Sequence, residues 1–420
     1  MLDLKFIREN PHLVKKGAAN KNETCNIDGI LALDEERREI IRRVEQLKAE
    51  RNRASQEIGR KKKAGEPADE AIAAMKKVGQ DIASFDDQLR DIETRLHTEM
   101  SWVPNVPHES VPVGQDESAN VFVREWGEKL EPTFEIKPHW EIGEKLGILD
   151  LPAAARVSGS GFCMLRGLGA RLSRALINYM IDTHVAAGFV EVSVPDVVTA
   201  ETMFGTGQLP KLEEDMYRTT DNMYLIPTAE VPMTNLYRDQ IIDLKELPVN
   251  MVAHTPCFRR EAGSAGQDTR GMLRVHQFDK VEMVKIVDPA TSYEEIENLV
   301  TQAESVLQGL ELPYRVCELA TGDLSFAAAK CYDLELWAPG VQKYLEISSV
   351  SNFEDFQARR MNLRYRDQDR KVQFPHTLNG SGVALARLIA TILEHYQNAD
   401  GSVTVPATLR TYMGGAERIT

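Results

Sequence analysis

Arg259, Glu261, Phe278, Lys280 and Glu282 are the residues of this chain best equipped for chemistry. They lie within residues 257–287, CFRREAGSAGQDTRGMLRVHQFDKVEMVKIV, which reads as strand, loop, strand. At a period of two, Arg259 and Glu261 share one face of the first arm, and Phe278, Lys280 and Glu282 share one face of the second. An aromatic ring among charges of both signs is costly to bury without a polar ligand, so the pattern reads as a binding floor. Arg259 suits a bidentate contact to a phosphate, and Arg270 and Arg274 add positive charge at the loop base. Phe278 offers a flat face to a purine, while Glu261 and Glu282 accept from an amine or an ammonium group. The loop, 262–273, carries Gly263, Gly266 and Gly271. The plain alternative is an amphipathic hairpin with a solvated charged face, and the rest of the chain decides between the two.

Several stretches have the pattern needed to position such a site. Residues 224–229, YLIPTA, read as a strand that ends at Thr228, Ala229 and Glu230. Residues 343–350, KYLEISSV, alternate as a strand with Leu345, Ile347 and Ser349 on one face and Glu346 and Ser348 on the other, unless a bulge realigns them. Residues 376–397, HTLNGSGVALARLIATILEHYQ, form the last strong element and hold one helix. Its buried stripe is Leu385, Leu388, Ile389, Ile392, Leu393 and Tyr396; Asn379 or Ser381 caps it, and the amides of 380–383 face an anion. Arg387 lies off that stripe. A helix at 170–188 leads into a strand at 189–194 stopped by Pro195, and 292–310 reads as a surface helix.

The first hundred residues follow another rule. A short helical lead with Pro11 at the start of a second helix gives way to heptad positions at Ile30, Leu33, Arg37, Ile40, Val44, Leu47, Arg51, Ala54 and Ile58. KKKAGEP at 61–67 breaks the pattern, and a second run follows at Ala71, Met75, Val78, Ile82, Phe85, Leu89, Ile92 and Leu96. Two such helices bury their seams on each other, giving an antiparallel hairpin over about 28–100 and roughly 45 to 50 Å long. Residues 37–63 hold eleven Lys and Arg against four Asp and Glu, and 65–100 hold four against nine. One side of the hairpin is therefore basic, a shape and charge suited to a nucleic-acid backbone, although solvated helices also carry such charge. The proline-rich stretch 102–114 then marks a boundary.

Composition limits the function classes. The net charge of −14 confines any nucleic-acid contact to a local basic patch. Five scattered cysteines with no C-x-x-C pair suit a reducing compartment and provide no zinc framework. No run approaches the ~20 apolar residues of a membrane span. The N-terminal stretch has no apolar signal core, so the cytoplasm is expected. Neither a Walker loop nor a G-x-G-x-x-G turn is present.

Three spaced elements take their place: a helix running into a strand with proline, the arginine-bearing strand-loop-strand, and the glycine-opened segment with Arg387. This set resembles the signature motifs of class II aminoacyl-tRNA synthetases. Residues 258–283, the triplet Thr228-Ala229-Glu230, the quartet Glu346-Ile347-Ser348-Ser349, FQARRMNLRYR and the helical arm together resemble the seryl-tRNA synthetase family over essentially the whole chain.

The resemblance implies an α+β fold, an antiparallel six- to eight-stranded sheet flanked by helices plus an N-terminal long antiparallel coiled-coil arm. It places a tRNA-binding domain at 1–105 and a catalytic domain at 106–420, in a homodimer that meets around 170–195. It implies that Arg259 holds the α-phosphate of ATP and the serine carboxylate. Phe278 stacks on adenine, Glu261 takes its amino group, and Arg387 covers the base and reaches the γ-phosphate. Arg260, Arg274, His276, Ile347 and Ser348 join the ATP site, and Glu346 and Ser349 carry Mg²⁺. Thr228, Ala229, Glu230, Glu282, Asn379 and Ser381 line a pocket for L-serine. Arg37, Arg43, Arg51, Arg53, Arg60, Lys61, Lys62 and Lys63 reach tRNA(Ser) and, by the same resemblance, tRNA(Sec). Two positions depart from the family: Arg260 stands where serine is usual, and Ser381 where threonine is common.

Three rival readings make distinguishable demands. A related ligase that loads an amino acid onto a carrier protein would lack the full basic arm. A non-catalytic tRNA-binding relative would have lost Arg259, Glu282, Glu346 or Arg387, and all four are present. A purely structural coiled coil leaves the motifs beyond the arm unexplained.

Overall fold

The computed structural model describes residues 1–129, 132–262 and 270–420. Gly263 and Gly266, two of the three loop glycines, lie outside the described residues. The chain forms two compact units, Leu2–Ala19 with Glu23–Pro104, and Asn105–Thr420 with Met1 and Asn20–Asn22.

In the first unit, α1 (Leu4–Glu9) and α2 (Pro11–Asn20) precede two long helices, α3 (Ile27–Ala64) and α4 (Asp69–Ser101). The Asn26 side chain caps α3 by accepting the Gly29 N–H, and Gly65 ends it in the left-handed conformation, φ 72°. Lys61–Lys63 in the last turn of α3 and Asp69 and Glu70 in the first turn of α4 each complement the local helix dipole. The seam follows the heptads: Ile30, Leu33, Ile40, Val44, Leu47 and Ile58 are buried on α3, and Ile82, Ile92 and Leu96 on α4. At its base the buried Asp34 pairs with Arg8 and Arg38, each at 3.0 Å. With 38 residues, α3 extends about 57 Å at ~1.5 Å per residue. It exceeds the expected length because the helix runs on past Ile58, its last buried seam residue, to the Gly65 cap.

The second unit is built on an eight-stranded sheet. Numbered along the chain, its strands are β1 (Val121–Trp126), β2 (Val190–Glu191), β3 (Val249–Phe258), β4 (Gln277–Val287), β5 (Tyr314–Glu318), β6 (Lys330–Ala338), β7 (Lys343–Asn352) and β8 (His376–Ala384). They run in the order β1-β5-β6-β7-β8-β4-β3-β2, antiparallel throughout except for β2, which pairs in parallel with β3. The fold is thus the α+β class expected, with a mainly antiparallel sheet. Five further helices matter here: α5 (His139–Lys145), α6 (Gly167–Ala186), α7 (Glu230–Asn235), α8 (Ser292–Gly309) and α9 (Leu385–His395). Leu172, Leu176 and Met180 of α6, Leu299 and Val300 of α8 and Leu388 and Ile392 of α9 pack with Val281, Met283, Val350 and Leu378 in the main apolar core. Among the described residues no helix is long and apolar enough to cross a membrane.

Three local expectations change. Residues 376–384 are strand β8, with the helix starting only at Leu385, so Asn379 and Ser381 do not cap it. The glycines there serve close packing. A Cβ at Gly380 would meet Leu299 at 3.1 Å, and one at Gly382 would meet the His184 ring at 2.8 Å. The strand expected at 189–194 pairs only at Val190–Glu191, with one more bond from the Val192 N–H to the Val252 carbonyl. The strand expected at 224–229 ends at Leu225, and Glu230 opens α7 instead. The surface helix expected at 292–310 is present as α8, with Glu294, Glu297 and Thr301 exposed and Ile296, Leu299, Val300 and Ala303 buried in the main core.

Candidate active site

Strand alternation builds the site from β4 outward. Val281 and Met283 face the helical core, so Lys280 and Glu282 face the other side of the sheet. Register places Glu282 beside Ala253 on β3 and beside Ser381 on β8, and pairs Cys257 with Phe278. Arg259 and Glu261 follow just past the paired ladder. The Arg259 guanidinium lies 5.4 Å from the centre of the Phe278 ring. Glu261 takes a positive φ of 51° and accepts from the Arg274 guanidinium at 2.6 Å. A strained non-glycine backbone held by an ion pair marks a place where geometry is imposed.

A cavity of about 500 Å³ lies over this floor. Its deep end is a closed polar network. The Gln357 side-chain amide donates to one oxygen of Glu230 at 2.6 Å. The Asn379 amide donates to the other at 2.9 Å and to Glu282 at 3.2 Å. Lys280 and Glu282 form a buried ion pair. Burial, and then the charge of Glu282, raise the Glu230 carboxyl from 4.5 to about 7, while the Gln357 bond, Lys280 and Arg259 pull it back. Such a group gains from a cationic ligand.

The outer end depends on two bulges. Register in β7 shifts between Glu346 and Ser348, which brings Glu346 and Ser349 to one face, with the Ser349 hydroxyl 3.3 Å from a Glu346 oxygen. The bulge that the alternation left open is therefore present, and Ser349 shares a face with Glu346. Register in β8 shifts between Ser381 and Val383, so Asn379, Ser381 and Ala384 all line the cavity before the chain turns into α9. Arg387 donates to the Leu273 carbonyl at 3.2 Å and to the Glu346 carbonyl at 2.5 Å, and stands 3.5 Å from the Glu346 carboxylate. Among the described residues no three His, Cys, Asp or Glu side chains are grouped to hold a metal. Glu346 and Ser349 nevertheless supply two hard oxygens on one face, which fits a Mg²⁺ whose remaining ligands are water and phosphate.

The sequence-derived residues sort clearly by placement. Arg259, Glu261, Arg274, Phe278, Glu346, Ile347, Ser349 and Arg387 line the cavity, as do Thr228, Glu230, Asn379 and Ser381. Five are not on its wall. Ala229 is buried in an apolar cluster with Met233, and Glu282 lies beneath the surface and is reached through Asn379. The buried Ser348 hydroxyl donates to the Ser381 carbonyl at 2.5 Å. Arg260 is exposed, its N–H donating to the Asp215 carbonyl at 2.9 Å. His276 sits behind Arg259, with its Nδ1 3.1 Å from that residue's carbonyl oxygen. On the arm, Arg43, Arg51, Arg53, Arg60, Lys62 and Lys63 are exposed, while Arg37 pairs with Glu93 and Lys61 with Glu57.

Sequence reasoning missed two participants. Gln357 lies in the FQARR stretch, where only the resemblance had drawn notice. Asp333 accepts from the Ser349 hydroxyl, and burial, followed by the Glu346 charge, pushes its carboxyl well above the usual range. The alternation Asp333, Leu334, Glu335, Leu336 was a readable signal of a strand with one polar face.

Comparisons with known proteins agree with this geometry. Residues 211–396 match the family described as tRNA synthetase class II core domain (G, H, P, S and T), and residues 1–107 match the seryl-tRNA synthetase N-terminal domain. The chain is 55% identical over 417 residues to the serine–tRNA ligase of Carboxydothermus hydrogenoformans, covering 99% of this chain and 98% of that one. It is 52% identical over 419 residues to that of Thermodesulfovibrio yellowstonii, covering 99% of each. Among solved structures, seryl-tRNA synthetase from Pyrococcus horikoshii complexed with ATP superposes with a TM-score of 0.94 at 39% identity, over 100% of this chain and 99% of that one. Matched at both ends and along its full length, the chain belongs to the seryl-tRNA synthetase family of class II aminoacyl-tRNA synthetases.

Proposed function

We propose that the chain is an ATP-dependent ligase that activates L-serine as seryl-adenylate and passes the seryl group to tRNA(Ser). The observation that carries this reading is the buried carboxylate pair, Glu230 and Glu282, bridged by Asn379 at the closed end of a cavity with Arg259 and Arg387 on its walls. Glu230 receives the serine ammonium, which offsets the cost of ionising a buried carboxyl. Ser381 and Asn379 on the wall, the latter held by Glu282 behind it, hydrogen-bond the substrate hydroxyl. Alanine would leave those groups unpaired, a discrimination of about 10⁴.

The serine carboxylate attacks the α-phosphorus of ATP, forming a carboxyl–phosphate bond as the bond to pyrophosphate breaks. Arg259 draws charge from the phosphorus, Phe278 stacks under adenine, Glu261 accepts from its amino group, and Arg387 covers the base and reaches the γ-phosphate. Glu346 and Ser349 would hold a Mg²⁺, which would supply positive charge to offset that of the phosphates. The terminal ribose 3′-hydroxyl of the tRNA then attacks the seryl carbonyl and AMP departs. Positioning carries the rate, and no side chain forms a covalent intermediate.

The division of labour assigns 1–105 to tRNA binding and 106–420 to catalysis. The exposed cations of α3 follow the tRNA backbone and read its shape, accepting tRNA(Sec) as well as tRNA(Ser). Val185 of α6 and Val190 of β2, both exposed, support a homodimer that meets along 170–195. The reaction takes place in the cytoplasm. ATP–pyrophosphate exchange with each of the twenty amino acids, without tRNA, tests the reading. Exchange with serine alone is expected, and exchange with none, or with another amino acid, would overturn it.

A further inference from the structure

We infer that His139, held by Glu394, is a positioning residue for the nucleotide end of this site, fixing the short segment against which Arg387 is braced. The inference rests on the ATP-binding reading above. His139 opens α5 and lies outside every stretch that marked the site in the sequence. Neither it nor Glu394 lines the cavity, and their side chains are 0% and 1% exposed. A fully enclosed histidine paired with a carboxylate needs a reason, and its contacts provide one.

Glu394 accepts three hydrogen bonds. One of its oxygens receives the His139 backbone N–H at 3.0 Å and its Nδ1 at 2.8 Å, and the other receives the Gly340 N–H at 2.9 Å. The opposite ring nitrogen, Nε2, accepts the backbone N–H of Met272 at 3.1 Å. Because Nε2 accepts, the ring proton sits on Nδ1, where Glu394 holds it. The preceding residue, Gly271, has φ 68°, and a Cβ there would lie 2.1 Å from Nε2. Glycine is thus required by both conformation and space. The following residue, Leu273, accepts the Arg387 bond, and the Arg270 guanidinium lies 5.9 Å from the ring of Trp140, the neighbour of His139.

Arg387 and Glu394 stand on the same helix, α9, two turns apart. That helix therefore grips residues 270–273 twice, directly through Arg387 and indirectly through Glu394 and His139. The Met272 bond fixes the height of the Leu273 carbonyl, and with it the position of the Arg387 guanidinium over the adenine platform. It also sets the origin of Arg274, whose guanidinium holds Glu261. Serine contacts no part of this relay.

The test compares full-length variants by ATP–pyrophosphate exchange, with ATP and serine each varied. His139→Asn retains a donor toward Glu394 and withdraws the acceptor from Met272, while His139→Gln reaches the Nε2 position with an amide oxygen. The KM for ATP should rise about tenfold in His139→Asn, the factor that about 1.4 kcal/mol represents, with the KM for serine within about twofold. His139→Gln should restore most of the loss. Gly271→Ala attacks the same contact from the segment's side, its Cβ forcing the Nε2 atom and the segment apart while both His139 and Glu394 are retained, so it reports even if the histidine variants fail to fold. It should show the same selective rise. An unchanged KM for ATP in Gly271→Ala and in whichever histidine variant folds, or an equal rise in both KM values, overturns the inference. Wild-type protein that exchanges normally beside unaffected variants removes this inference alone. Wild-type protein that exchanges with no amino acid removes the reading of the site, and this inference with it.

Discussion

Replacing Gln357 by leucine isolates the electrostatics of the amino acid pocket. The Gln357 amide is locked at both ends: its oxygen accepts the Thr377 hydroxyl at 2.7 Å, so its nitrogen must face Glu230, at 2.6 Å, and the Thr206 carbonyl, at 3.1 Å. Leucine has similar bulk and no donor. Loss of a hydrogen bond to a buried carboxylate is worth about 2 kcal/mol, or about 30-fold in affinity. The sign with pH follows from the proton. Glu230 is raised in the folded chain from 4.5 to about 7, so the folded state holds a proton there that the unfolded state has released. Its stabilising protonated form is complete at low pH and is lost as pH rises through 7, a span on the order of 3 kcal/mol. Removing the Gln357 donor raises the group further, and the carboxylate that receives an ammonium becomes scarcer at neutral pH. In ATP–pyrophosphate exchange, Gln357→Leu should raise the KM for serine about 30-fold near neutrality and recover partly near pH 8.5, with the KM for ATP within about twofold. An unchanged serine KM, a matching rise for ATP, or an elevation independent of pH would refute the reasoning.

Other perturbations address separate parts of the molecule. Arg259→Ala should abolish adenylate formation while leaving the melting temperature and far-ultraviolet dichroism of the parent; normal exchange would remove Arg259 from its role. Deletion of residues 34–95 should spare serine activation and reduce tRNA charging by an order of magnitude or more, since the exposed cations of α3 go with it. Equal charging by the shortened chain would exclude the arm as the tRNA contact. His184 is buried with neither ring nitrogen hydrogen-bonded among the described residues, and burial lowers it from 6.5 to about 4. The unfolded chain therefore binds a proton there before the folded chain does, and stability should fall as pH drops from 6.5 towards 4. His184→Leu should flatten that limb of a melting-temperature profile, and an unaltered limb would show that other groups set it.

What the sequence made legible tracked how local its causes were. The heptads of α3 and α4 were readable because each seam residue is specified by its own spacing, and Gly65 marked the turn as a left-handed cap does. The hairpin floor was readable because alternation alone put Lys280 and Glu282 opposite Val281 and Met283. Strand β8 was misread because Gly380 and Gly382 look like the opening of a helix when seen in isolation. Their cause is non-local, the approach of Leu299 and His184 from two other helices. The partners of Gln357 and Asp333 were hidden for the same reason. Each acts on a residue far away in sequence, Glu230 in one case and Ser349 in the other. The pair formed by His139 and Glu394 spans 255 positions, and no window along the chain contains both.

The two bulges carry an implication for how this chain tolerates change. Each inserts one residue, Ile347 in β7 and Gly382 in β8, and so resets the phase of its strand midway. The inner halves of both strands keep the phase of the amino acid pocket, and the outer halves keep that of the nucleotide end. Were either strand regular at its present length, one half of the site would turn to the opposite side of the sheet, since Glu346 and Ser349 stand three residues apart. Losing Ile347 itself would leave those two residues on one face, removing the bulge with its local bend and shortening the strand by about 3.3 Å. At these two positions the bulge, more than the strand around it, keeps the two ends of the site in phase.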